Sequence, residues 1–390
     1  MNKSILNIEA QDFIQQNLQT DITKLVLKGS PFKNISIQEL AKQIIAKNKC
    51  KKKLPTWYDA KNIYYPDKLN IEQTSSEITA IYKAQLITGK SILDITGGFG
   101  VDCFAFSKYF KTVTHCEINT ELSTIVAHNY KQLKVKNIQT IAKDGITYLT
   151  NNNKIYDCIY IDPSRRNELK KRVFLLADCT PDLSKNLDVL LKYSNTILIK
   201  TSPILDIQAA INELHSIKEI HIVAIQNEVK EVLYLIQKNY SKKPSYKTIN
   251  ITKSENQIFA FSPNITKANY SLPQQYLYEP NAAILKAGAF KEISNQLNIS
   301  KLHKHSHLYT SDSEILFPGR VFKILQQTTY HPKKLKKFLQ IEKANITTRN
   351  FPDNVATIRK KTKIKDGGTL YLFFTTNIHN EKIVLVCEKT

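Results

Sequence analysis

The chain has 390 residues, 42% hydrophobic and 23% charged, a length and balance that exclude a disordered or fibrous protein and allow two or three domains, each with its own core. Its formal charge of +22 and pI near 9.5 point to a polyanionic partner, nucleic acid first, because each Lys or Arg that meets a phosphate releases a counterion; a coding bias toward Lys, Asn and Ile is the competing explanation. No run reaches the roughly 18 to 20 apolar residues of a membrane span, and the amino terminus carries acids and amides where a signal peptide is apolar. The six scattered cysteines, Cys50, Cys103, Cys116, Cys158, Cys179 and Cys387, lack C-x-x-C spacing. These features predict a cytoplasmic protein with reduced thiols, no metal and no membrane contact.

Residues 1–85 read as helical, with apolar positions recurring at three and four in Ile37-Gln38-Glu39-Leu40-Ala41. This region contains a basic run, Lys47 to Lys53, followed by Trp57-Tyr58. Cations beside aromatics suit a nucleic-acid grip by phosphate contact and stacking; a solvated helix end and a packed Trp fit equally well. From residue 91 short apolar runs alternate with amphipathic stretches, predicting strands at 91–96, 112–118, 138–143, 156–162, 196–201, 219–225 and 231–237 and helices at 120–133 and 182–193. That alternation is a βαβ series with a parallel sheet. Only Gln226 to Lys230 separate the last two strands, too few for a parallel crossover, so the seventh must run antiparallel. The expectation is an α/β, Rossmann-like seven-stranded sheet over 86–262. One more strand is expected at 256–262 and a helix at Ala282 to Ala287. From 319 a small α+β module follows, with a helix from His331 to Phe338 and strands at Leu370 to Thr376 and Lys382 to Cys387.

Chemistry concentrates at the carboxyl ends of these strands, where open α/β sheets bind ligands. The turn Thr96-Gly97-Gly98-Phe99-Gly100 follows the first strand and opens a helix. A dinucleotide fingerprint started at Gly98 fails at its sixth position, Cys103. An S-adenosylmethionine (SAM) site asks instead for room at the loop and for acids on successive strands. Asp94 or Asp102 would meet the ammonium group, Glu117 the ribose hydroxyls, Asp144 the adenine amino group, and Asp162 would lie beside the reactive methyl. Pro163 takes the chain abruptly out of the sheet, and Asp162 with the Pro163 carbonyl can accept the N–H groups of an amine acceptor. Arg165 and Arg166 suit a phosphate or a base, with ordinary salt bridges as the alternative. Cys179 as a thiolate nucleophile is disfavoured because it precedes a predicted helix. His303, His305 and His307 alternate as metal ligands can, but read better as a polar strand edge.

The stretch Leu69 to Asp102, including Glu72-Gln73-Thr74-Ser75-Ser76-Glu77 and the glycine turn, resembles a bacterial family of class I methyltransferases with a THUMP-like carboxyl-terminal domain. Asp162-Pro163-Ser164-Arg165-Arg166 and Lys200-Thr201-Ser202-Pro203-Ile204-Leu205-Asp206 carry the same resemblance, as do Asn350-Phe351-Pro352, Ile358-Arg359-Lys360-Lys361 and Lys365-Asp366-Gly367-Gly368. Residues 270–318 are similar to the family's small ferredoxin-like segment and 319–390 to its THUMP-like domain. The resemblance implies SAM as cofactor, a segment around Gln73 and Ser76 that closes over it, Lys200 among the substrate-binding residues, and RNA as substrate. Ser164 and Arg165 depart from the Asp/Asn-Pro-Pro-aromatic signature of amino-methyltransferases. A protein or small-molecule methyltransferase, and a non-catalytic SAM- or RNA-binding protein, are the alternatives.

Overall fold

The structure is a computed structural model that describes residues 1–165, 175–264, 267–331 and 341–390. The chain divides into two compact units, Met1–Ile217 with Tyr234–Ser241, and Lys218–Leu233 with Lys242–Thr390.

The first unit opens on helices Ile8–Gln16, Ile22–Lys28 and Ile37–Lys53. The third starts at a capping box in which Ser36 and Glu39 satisfy each other's backbone N–H groups. Its Ile37, Leu40 and Ile44 then share a core with Ile5, Ile14 and Leu25. Three lysines of the basic run that ends this helix make contacts within the protein, while Lys51 and Lys52 are exposed. Lys49 pairs with Glu72, and Lys53 Nζ donates to the carbonyls of Ile71 (2.9 Å) and Glu72 (2.8 Å). That caps the negative end of helix Lys68–Gln73. Lys47 sits over the Tyr58 ring. Trp57 is 1% exposed and packs edge-on against Phe104 at 4.7 Å, so it is a core residue whose removal would cost about 3–5 kcal/mol. Of the two readings of this segment, the structure shows the packed Trp: it has no face to offer a base.

Parallel strands follow: β1 (Ser91–Asp94), β2 (Thr112–Cys116), β3 (Ile138–Ile141), β4 (Cys158–Ile161) and β5 (Thr196–Thr201). Their order is β3-β2-β1-β4-β5, and all four junctions are parallel. Helices Val101–Phe106, Thr120–Gln132, Gly145–Asn152 and Leu183–Leu190 alternate with them. All four residues of β4, Cys-Ile-Tyr-Ile, are buried, as a strand covered on both faces must be.

β6 (Ile217–Ile225) and β7 (Glu228–Gln237), each with residues in both units, are joined by Gln226-Asn227 alone. Both turn residues have positive φ, 50° and 64°, as a type I′ hairpin requires, so β7 is reversed as its short connection demanded. The seven-strand expectation is corrected at this point. β8 (Ser245–Ile251) pairs parallel to β6, and β9 (Asn256–Phe261) pairs antiparallel to β8. A second sheet comprises β10 (Tyr276–Pro280), β11 (Ser300–Lys301), β12 (Tyr309–Ser311), β13 (Gly319–Thr329), β14 (Asn345–Thr348), β15 (Leu370–Thr376) and β16 (Lys382–Lys389). Its order is β11-β12-β10-β13-β16-β15-β14. Helix Ala282–Ala287 is formed as expected; the expected helix at 331–338 lies outside the described residues beyond His331. Helix Val355–Thr362 accompanies β14 to β16.

Residues 303–307 lie in the connection between β11 and β12, with a turn at 304–306, which corrects the strand-edge expectation for the histidines. His303 is held by Asn350 and Asn380, whereas His307 stacks on Phe290. Among the described residues no three His, Cys, Asp or Glu side chains gather as a metal site, and no helix is long and apolar enough to cross a membrane. All six cysteines are free and buried.

Candidate active site

The site grows from the exit of β1. Asp94 is 1% exposed; its Oδ1 accepts the Thr96 N–H (2.9 Å) and hydroxyl (3.2 Å), and its Oδ2 accepts from Cys103 Sγ (3.3 Å). Burial, reinforced by the Asp102 charge, pushes this carboxyl up to about 8, against the pull of the Thr96 N–H. The Thr96 hydroxyl in turn accepts the Asp162 N–H (2.7 Å), so one hydroxyl ties the end of β4 to the end of β1.

The glycine turn has a packed floor and an open top. A Cβ at Gly97 would lie 2.3 Å from the His115 ring, and one at Gly100 would lie 2.2 Å from the Tyr130 hydroxyl. Tyr130 donates to the Gly100 carbonyl (2.8 Å). Burial pushes His115 down to about 4, so the floor under Gly97 is neutral at ordinary pH. At Gly98, φ +54°, a Cβ would meet nothing nearer than a backbone oxygen at 3.8 Å. This is the cradle that close backbone approach to a ligand requires.

Glu117, one residue past β2, closes the cradle from the side. Its Oε2 accepts the Gly98 N–H (2.8 Å) and its Oε1 the Asn119 N–H (2.8 Å). Asp144 is exposed and caps helix Gly145–Asn152, with Thr147 N–H and hydroxyl both on its Oδ1 at 2.8 Å. Beside it, a Cβ on Gly145 would lie 2.4 Å from the Ile95 carbonyl oxygen, so only glycine lets this helix start against the loop after β1.

Asp162, half-buried, pairs through Oδ2 with Lys200 Nζ at 2.6 Å. Pro163 is half-buried, and Ser164-Arg165 forms a two-residue ladder with Cys179-Thr180. Cys179 is itself buried, not presented as a nucleophile. Arg166 lies outside the described residues, and only the backbone of Arg165 is described.

Asp102 does not face the cradle as a free carboxylate. Its Oδ2 accepts from Ser75 Oγ (2.8 Å) and Tyr160 OH (2.9 Å). Lys83, fully buried, lies 3.2 Å from Oδ1, an ion pair without directed hydrogen-bond geometry, and donates to Ser75 Oγ at 2.9 Å. This network fastens the segment of Gln73 and Ser76 to the first turn of the loop helix. Ser76 caps helix Glu77–Leu86, while Gln73 is exposed. Sequence reasoning passed over Ser75, Lys83 and Tyr160. The available signal was a lysine on the buried stripe Thr79, Ala80, Lys83, Ala84, where an unpaired charge is not tolerated. A cavity of about 320 Å³ lined by Glu39, Tyr64, Asp67, Asn119 and Glu121 includes neither the glycine turn nor Asp162.

Over its whole length the chain matches a crystal structure described as a "putative methyltransferase from Porphyromonas gingivalis W83". The identity is 31%, the TM-score 0.90, and the match covers 100% of this chain and 98% of that one. The chain belongs to that methyltransferase family. Three family models match along it: conserved hypothetical protein 95 over residues 70–219, a ferredoxin-like domain over 276–318 and a THUMP domain-like segment over 319–389. An uncharacterized RNA methyltransferase of Mycoplasma mobile is 27% identical over 118 residues, 27% of this chain. The match spans about a third (32%) of that relative's length. For this methyltransferase the first family match contains Gln73 and every later site residue through Lys200.

Proposed function

We propose that this chain is a class I, SAM-dependent methyltransferase acting on RNA. One observation carries the reading: on three adjacent parallel strands, β2-β1-β4, Glu117 and Asp162 are hydrogen-bonded to the two sides of one glycine turn whose top is open. The reversed β7 beside parallel strands supports the class I assignment. For RNA, the support is the +22 charge, the THUMP domain-like segment and the RNA methyltransferase relative of Mycoplasma mobile. The domains we assign are 1–85, 86–262, 270–318 and 319–390, in a protein of the cytoplasm.

The residues fit SAM: Gly97, Gly98 and Gly100 leave room, and Glu117, with one lone pair spent on each oxygen, can still accept two ribose hydroxyls. Asp144 has an oxygen for the adenine amino group. Bound there, SAM would supply an electrophilic methyl on a sulfonium. The chain's own part is orientation and exclusion of water, which carry most of an in-line displacement. Asp162, fixed through its N–H by Thr96 and through its carboxylate by Lys200, would hold the acceptor's proton-bearing atom, with the Pro163 carbonyl as a second acceptor. Arg165, Arg166 and Lys200 would meet the substrate's anionic or carbonyl groups.

Calorimetric titration with SAM tests the cofactor; neither heat nor thermal shift at millimolar SAM would sink it. Mass spectrometry of nucleosides from cells with and without the gene tests the acceptor. Loss of one methylated nucleoside is expected, and an unchanged profile counts against RNA.

A further inference from the structure

The second unit carries a charged cluster that methyl transfer leaves unused. Glu279 on β10 is 4% exposed and accepts from two arginines at once. Arg320 donates to Oε2 through Nε (2.7 Å) and Nη2, and Arg349 donates to Oε1 through Nε (3.1 Å) and Nη2 (2.8 Å). Arg320 stands directly across the β10–β13 ladder from Glu279, and Arg349 follows β14. Both arginine side chains keep about two fifths of their surface exposed, 40% and 39%. Each guanidinium has five N–H donors, and among the described residues the Nη1 group of neither is engaged.

The charged groups that act on His307 beside this cluster are basic: Lys301, His305 and Arg349. Asn350 Nδ2 donates to His303 Nδ1 at 2.8 Å. His307 lies on the Phe290 ring, centroids 3.7 Å apart, with a buried Nδ1 that has no partner. Its ionisation is pushed down to about 4, by burial first and then by Lys301, His305 and Arg349. Lys301, 2% exposed, is pushed down to about 8 by burial and by Lys291. One arginine would balance Glu279; the second leaves a net positive charge with donors to spare.

We propose that Arg320 and Arg349, braced by Glu279, form a clamp for a backbone phosphate of the RNA, an inference that rests on the RNA reading above. The guanidinium fork matches phosphate oxygens in pairs. Holding both forks on one buried carboxylate removes in advance the side-chain freedom that binding would otherwise cost. Arg320 is further steadied over the rings of Phe322 and Tyr371, at 5.4 and 6.0 Å.

The test is the anisotropy of a fluorescent single-stranded RNA titrated with the full chain at several salt concentrations. E279Q/R349Q leaves the net charge unchanged. It is expected to weaken binding at least fivefold and to lower the salt slope by about one; exposed Lys253→Gln should weaken it less. Wild-type affinity and slope in E279Q/R349Q would overturn the clamp. If that variant does not fold, R349K replaces it: loss of affinity supports the clamp, and unchanged affinity overturns it. If wild type itself ignores RNA, the RNA reading fails and inorganic phosphate decides the clamp. Phosphate should raise the titration midpoint of His307 followed by NMR, and an unmoved midpoint overturns it.

Discussion

Lys200 Nζ lies 2.6 Å from Asp162 Oδ2, and the sheet register is the reason. Ile161 on β4 is paired with Ile199 on β5, so the next residue of each strand emerges beside the other at the carboxyl edge. In the role proposed for it, Asp162 would meet the acceptor as half of an ion pair with Lys200. Lys200→Met would free that carboxylate to turn away without touching Gly98 or Glu117. SAM affinity measured by calorimetry should change little, while single-turnover methylation of total RNA should fall about a hundredfold, the effect of a small misplacement at a reacting centre. Lys200→Arg should restore part of it. Unaltered turnover in Lys200→Met would make the pair merely structural.

The packed floor and open top of the glycine turn separate two substitutions that look alike in sequence. Gly97→Ala drives a methyl into the His115 ring, an overpacking worth about 1–3 kcal/mol, so its thermal midpoint should drop with or without SAM. Gly98→Ala meets open space and bears only the strain of positive φ, about 1–2 kcal/mol, but its methyl occupies the cradle. It should lose SAM affinity out of proportion to stability. Equal losses in both measurements for both variants would mean that the top face is not the ligand face.

Glu117 accepts two backbone N–H groups on different oxygens. Glutamine can accept only one of them, and its own N–H₂ would face the other donor. Glu117→Gln is thus expected to release either Gly98 or the Asn119 turn and to weaken SAM by about tenfold or more, the cost of one charged hydrogen bond. Calorimetry reads this directly. A variant that binds SAM like wild type would show that Glu117 holds the turn but not the cofactor.

What could be seen in the sequence divides along physical lines. β4 is a short, wholly apolar run and β1 buries Ile92 and Leu93 because helices cover both faces, and an acid marks each carboxyl end, Asp94 as the last residue of β1 and Asp162 just after β4, without any knowledge of neighbours. β8, Ser-Tyr-Lys-Thr-Ile-Asn-Ile, buries Thr248 and Asn250 beside Ile249, so its core residues do not look like core residues. The Lys83, Ser75, Asp102 and Tyr160 network joins residues up to 85 positions apart (160 − 75), and only folding shows that Asp102 already has partners. Trp57 had two credible surroundings, and one contact with Phe104 decides between them.

That buried network gives a stability prediction. Lys83→Met leaves Asp102 charged and without its ammonium in a site that water barely reaches, a loss of about 3–5 kcal/mol for a broken buried pair. Adding Asp102→Asn should recover much of it, since Asn still accepts from Ser75 and Tyr160. Chemical denaturation of the two variants measures both values. No recovery in the double variant would place the cost in packing around Lys83, not in the orphaned charge.

Asp94 titrates where the cell lives, and its sign is fixed by burial. Its folded carboxyl sits at about 8 against an ordinary value of 3.8. Below the ordinary value both folded and unfolded chains hold the proton, and the contribution of this group to stability is whole. Between there and about pH 8 the unfolded chain surrenders a proton that the folded chain keeps, so stability drains away with a slope of at most about 1.4 kcal/mol per pH unit. Above pH 8 both states are ionised and the loss is complete. Asp94→Asn keeps an acceptor for Thr96 but cannot ionise. Thermal midpoints from pH 5 to 9 should therefore show wild type losing ground to Asp94→Asn up to about pH 8 and running parallel to it beyond. Parallel curves throughout would mean that Asp94 is charged in the fold, and that the turn it anchors carries a negative charge toward the ligand after all.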